Sequence, residues 1–88
     1  MKVYIISDYA EDGAEGVHAT LNKNEVINIW DRKYKSYHNG VILDKYIKNY
    51  EEEKKKLLQL IEEDEINMDG YNIGAGWGGT MLHIIEAE

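Results

Sequence analysis

The sequence predicts an α+β domain: a four-stranded antiparallel sheet in the order ββααββ, with both helices packed on one face. Three observations carry this expectation. Short β-branched runs open the chain, two central stretches repeat their apolar residues at three- and four-residue spacing, and the end is a glycine-rich apolar hairpin.

Lys2 to Ser7, KVYIIS, is apolar on both faces and reads as a central strand. The acidic, glycine-containing turn DYAEDGAEG follows. Gly16 to Leu21, GVHATL, then reads as an antiparallel second strand, with Val17, Ala19 and Leu21 on one side and His18 and Thr20 on the other. Asn22 is placed to cap a helix from Lys23 to about Tyr37, with Glu25 three residues on, and Val26, Ile27, Trp30, Tyr34 and Tyr37 mark its apolar face. The segment HNG at 38–40 supplies a stop. A second helix is expected over about Val41 to Glu65, its stripe being Leu43, Ile47, Tyr50, Lys54, Leu57 and Ile61. Lys54 is tolerable there because its methylenes can lie along the stripe. Glu62 to Glu65 put four acids at the negative end of the helix dipole, at a cost of roughly 0.3 to 1 kcal/mol per charge. Local stability would not select that run.

Asn67 to Gly70 reads as a turn. Tyr71 to Glu88, YNIGAGWGGTMLHIIEAE, then folds about Gly78-Gly79, where glycine reaches the positive φ of a tight turn. That turn pairs Trp77 with Thr80, Ala75 with Leu82, Ile73 with Ile84 and Tyr71 with Glu86. Asn72, Gly74 and Gly76 share the opposite face with Met81, His83 and Ile85, a surface half made of bare backbone that a helix, a partner or a ligand could approach.

With 88 residues, this is one small domain. The chain has no cysteine, so disulfides and thiolate metal sites are excluded and a reducing cytoplasm is expected. No apolar run is long enough to span a bilayer, and the start turns acidic too soon for a secretory signal. The formal net charge is −7, and residues 59–88 carry seven acids and no base. Such a chain is poorly suited to direct nucleic-acid binding and suits basic partners, among them proteins that themselves bind nucleic acid.

Most catalytic and metal readings fail on spacing. His18, His38 and His83 form no HxxxH, HxH or HExxH pattern. A calcium loop beginning at Asp8 would need ligands where Ala10 and Ala19 stand. Neither Ser7 nor Ser36 lies in a nucleophile elbow. No metal, cofactor or catalytic residue is therefore expected. The segment GAGWGG could present backbone N–H groups to a phosphate and stack Trp77 on a base, giving Gly74, Gly76, Trp77, Gly78, Gly79 and His83 as ligand-binding candidates. It is followed by a strand rather than a helix, and no Lys or Arg occurs in residues 57–88. The carboxylates Asp8, Glu11, Asp12, Glu15, Glu62, Glu63, Asp64, Glu65 and Asp69 can imitate a run of phosphates, with Trp77 as a desolvated anchor.

In size, single acidic domain, lack of cysteine and the glutamate-rich helix end beside an aromatic hairpin, the chain resembles in type the small phage-encoded anti-CRISPR proteins. That class has no defining motif, so no functional residue carries over. KVYIIS, GVHATLNKNEV and HIIEAE also resemble short uncharacterised phage and bacterial proteins patterned as strand, strand, capped helix and final strand. The leading expectation is a non-enzymatic inhibitor in a bacterial cytoplasm that occupies the basic DNA-binding groove of a nucleic-acid-handling complex, a CRISPR effector nuclease above all. Two alternatives stand beside it: sequestration of a nucleotide signal by Gly74 to Gly79 with Trp77, and a homodimeric interaction module that uses the open glycine face.

Overall fold

A computed structural model describes residues 1–8, 17–37, 44–74 and 79–87. In chain order the elements are β1 (Lys2–Asp8), β2 (His18–Thr20), α1 (Lys23–Tyr37), α2 (Asp44–Glu63), β3 (Asn67–Asn72) and β4 (Thr80–Glu86). The strands form one antiparallel sheet in the order β2-β1-β4-β3, so the predicted α+β fold and the central place of β1 both hold.

Register sorts the sheet into two faces. Tyr4 lies opposite Thr20 and Ile84, and Ile6 lies opposite His18 and Leu82. On that face Tyr4, Ile6, Leu82 and Ile84 are buried in one core with Val26, Ile29, Trp30 and Tyr34 of α1 and Leu57 and Ile61 of α2. Ile5, opposite Ala19 and His83, belongs to the other face with Val3, Ser7, Met81 and Ile85, which are only partly buried.

Helix α1 has the predicted limits. The Asn22 Oδ1 accepts the Asn24 N–H at 2.9 Å, and its carbonyl accepts the Glu25 N–H at 3.0 Å, which satisfies two of the free first-turn donors. Helix α2 ends at Glu63, and Val41 to Leu43 lie outside the described residues. Its stripe is buried only towards its C-terminus. A 20-residue helix is about 30 Å long, while seven-residue strands span about 23 Å. Leu57 and Ile61 therefore reach the core, whereas Ile47 remains 44% exposed. The Lys54 ammonium lies 5.8 Å from the Tyr50 ring centroid, as a lysine laid along an apolar stripe should.

Three expectations are corrected. The second strand is only three residues long, and Val17 and Leu21 are exposed rather than packed under a helix. The cause is register: Ala19 faces the side that the helices leave uncovered, and Val17 and Leu21 alternate with it. The hairpin is also paired differently. Tyr71 lies opposite Leu82 and Asn72 opposite Met81, and the Ile73 N–H donates to the Thr80 carbonyl at 2.8 Å. Gly74 and Gly79, both at positive φ, close the ladder there, so the connection is wider than a Gly78-Gly79 turn. Both registers keep the same parity, so the buried face is unchanged. Asn67 to Gly70, expected as a turn, is already strand; the register shifts between Asn67 and Tyr71, as a bulge absorbs extra residues.

Candidate functional site

The acidic end of α2 is built around one residue that departs from its neighbours. Asp64 takes a left-handed conformation, φ 53°, and its N–H donates to the Leu60 carbonyl at 3.0 Å, terminating the helix. This turn sends its side chain back to β1. The Tyr4 hydroxyl donates to Asp64 Oδ1 at 2.6 Å. The Lys2 ammonium lies 3.3 Å from Oδ2 and donates to the Asp64 carbonyl at 2.5 Å. A cation thus sits at the negative end of the helix dipole and on one of its acids, which offsets part of the cost expected for four acids there.

The electrostatics follow the contacts. The Tyr4 hydroxyl, and then Lys2, hold the Asp64 carboxyl below the usual carboxylate range. Burial, and then the Asp64 partner, push the Tyr4 phenol up to about 12. Asp64 is therefore an internal fastening rather than a free member of the acidic run. Its neighbours Glu62, Glu63 and Glu65 are exposed, and Gln59 donates to Glu63 at 3.3 Å. Glu86 lies opposite Lys2, at the same end of β1, and pairs with the N-terminal ammonium of Met1 at 2.9 Å while remaining half exposed. Asp69, in the bulged part of β3, is exposed as well.

Asp8 does not join this group. Asp8 ends β1 opposite Thr80, and Lys2 is at the start of the strand, about 20 Å away along it. Glu11, Asp12 and Glu15, which follow Asp8 in the chain, lie outside the described residues, as do Gly76, Trp77 and Gly78.

The glycine-rich candidates divide. Over Gly74, φ 74°, lies the Glu53 carboxylate, within 2.6 Å of where a Cβ would stand. Bare backbone here admits the protein's own anion, the wrong sign for a phosphate neighbour. Gly79 lies against the Asn72 carboxamide, whose Oδ1 accepts the Gly74 N–H at 2.9 Å. A cleft of about 120 Å³ lies beside Gly74, lined also by Glu53, Lys56, Leu57, Leu60, Asn72 and Ile73. Clefts that enclose a nucleotide-sized ligand run to roughly 300 Å³ and above. His83 is away from this cleft, on the uncovered sheet face, where Nδ1 is 3.0 Å from the Met68 carbonyl and the ring lies against Gly70.

What anchors the hairpin is a cluster that sequence reasoning assigned only to the core. The fully buried Trp30 donates its indole N–H to the Ile73 carbonyl at 2.8 Å. Its ring centroid is 5.1 Å from that of Tyr34 and 5.4 Å from that of Tyr50. The Tyr50 hydroxyl donates to Asp31, which also pairs with Lys35 at 2.8 Å. The heptad-like spacing located these rings. Their hydrogen-bond partners, distant in sequence, left no signal.

Among the described residues no group of three or more His, Asp or Glu is placed to hold a metal ion, and no helix is long and apolar enough to cross a membrane. The fold and the site together define a small acidic α+β domain with a fixed negative end. Compared with known proteins, the chain matches no family model, no curated protein and no solved structure.

Proposed function

We propose that this chain is a non-enzymatic binding protein whose acidic end occupies a basic groove of a nucleic-acid-handling complex and inhibits it. The resemblance in type suggests a CRISPR effector nuclease as the target, in a bacterial cytoplasm. One observation carries the reading: Asp64 is turned inward to fasten the end of α2 to β1, while Glu62 and Glu63 stay exposed on the helix end so fixed and Glu65 is exposed just beyond it. A tied helix end spares the backbone beneath these carboxylates an ordering cost on binding, and the helix dipole adds negative potential at the same end.

The test begins with immobilised protein in a bacterial lysate, washed at low and then high salt, with mass spectrometry of both fractions. A nucleic-acid enzyme that elutes with salt supports the proposal, since contacts between complementary charges are screened. Affinity is then compared for a Glu62→Lys, Glu63→Lys, Glu65→Lys variant. Asp64 is left in place, because replacing it would confuse lost binding with lost folding. Full affinity in the triple variant would sink the groove-occupying mechanism.

A further inference from the structure

We propose that the uncovered face of the sheet is where two copies of this chain meet. The helices pack on the Tyr4, Ile6, Leu82 and Ile84 side. The opposite side presents Val3, Ile5, Ser7, Met81, His83 and Ile85, with Ala19 on the edge strand. An antiparallel sheet face that meets water is normally polar, and 31% of this chain is charged. Yet none of these seven positions carries a formal charge. Val17 and Leu21, which alternate with Ala19, extend the same surface with exposed apolar side chains.

The occupant follows from charge and size. Two copies of a chain with net charge −7 repel wherever their acids meet, so the uncharged β2, β1 and β4 part of this face, away from the exposed Asp69 of β3, is the surface through which they can approach. A two-fold pairing also makes the face its own complement. Three strands about 20 Å long and the three-residue β2, about 10 Å long, at a spacing of about 4.8 Å give a footprint of about 340 Å² in projection, or roughly 500 Å² of accessible surface. Two copies would remove roughly 1,000 Å² from water, below the size of a stable specific interface and in the range of a weak, reversible dimer. At the centre of the face one side chain is held in place. The His83 ring is laid against Gly70, where a Cβ would come within 2.7 Å of Cε1, and is held at the Met68 carbonyl.

This inference is independent of the acidic end, and its salt dependence has the opposite sign. Sedimentation equilibrium of the full chain from about 1 µM to about 1 mM should show the mass rising from 10.2 kDa towards twice that value. Added salt should strengthen the association, because it screens the repulsion between two acidic chains. The paired substitution Ala19→Glu and Leu21→Glu changes exposed positions only and puts four carboxylates into each interface. It should weaken the dimer at least about tenfold without lowering the melting temperature by more than a few degrees. Ile85→Lys should act in the same direction from the central strand. A mass fixed at 10.2 kDa over the whole range would overturn the proposal and assign the face to a different occupant. So would a dimer that weakens with salt, or a double variant that associates as tightly as the native chain.

Discussion

Replacing Asp64 by alanine removes a carboxylate that does three things at once. It accepts the Tyr4 hydroxyl at 2.6 Å, pairs with Lys2 at 3.3 Å and holds a backbone at φ 53°. A hydrogen bond to a charged group is worth about 1.5 to 3 kcal/mol. The Lys2 pair adds little, below about 1 kcal/mol, because both side chains are partly solvated. Alanine in the left-handed region costs about 1 kcal/mol more than a residue that tolerates it. Asp64→Ala should therefore lower stability by about 2.5 to 5 kcal/mol. Asp64→Asn keeps an acceptor and tolerates the same φ, and should cost only about 1 kcal/mol. Urea unfolding followed by tryptophan fluorescence, to which the buried Trp30 contributes, measures both. The clasp also fixes a pH dependence. The folded carboxyl is held below its ordinary 3.8, chiefly by the Tyr4 hydroxyl, so the unfolded chain binds this proton first as pH falls. Its contribution is complete well above 3.8 and is lost as pH falls through the lower folded value, so the native chain and Asp64→Asn should converge in acid. Equal losses for the alanine and asparagine variants, or an alanine cost below about 0.5 kcal/mol, would refute the clasp.

Three further outcomes follow from other contacts. Gly70→Ala should cost about 2 kcal/mol or more in the same unfolding assay, because φ is +97° and the new methyl would meet the His83 ring. Trp30→Phe should lower stability by about 2 to 3 kcal/mol, since it leaves the Ile73 carbonyl without its indole donor and opens space beside Tyr34 and Tyr50. In alkali, Tyr4 and Tyr50 both stand at about 12 in the folded chain against 10.0, through burial first and a neighbouring carboxylate second. The stability this gives is fully present below pH 10 and is lost as pH rises towards 12; far-UV circular dichroism should show that loss, reduced in Tyr4→Phe.

Helices and the covered strand faces were legible because they rest on local chemistry. Asn22 caps α1 through its own side chain, and Val26, Trp30 and Tyr34 fall on one face by spacing alone. The parity of β4 was legible for the same reason: Leu82 and Ile84 alternate with His83 whatever the pairing. The pairing itself was not legible, since four glycines in GAGWGG offer several turns, and contacts with Trp30 and Glu53 bear on where the ladder ends. The acidic run was visible as charge, but not its division.

By itself the sequence determined a small acidic α+β domain, its capped first helix, its central first strand and the face of β4 that is buried. These follow from periodicities of two and 3.6 residues and from side chains that act on their own neighbourhood. Only the tertiary structure decided that Asp64 belongs to the fold while Glu62, Glu63 and Glu65 face outward, and that the apolar side of β2 lies away from the helices. Those facts depend on partners such as Lys2 and Tyr4, some sixty residues away in the chain, which no local pattern encodes.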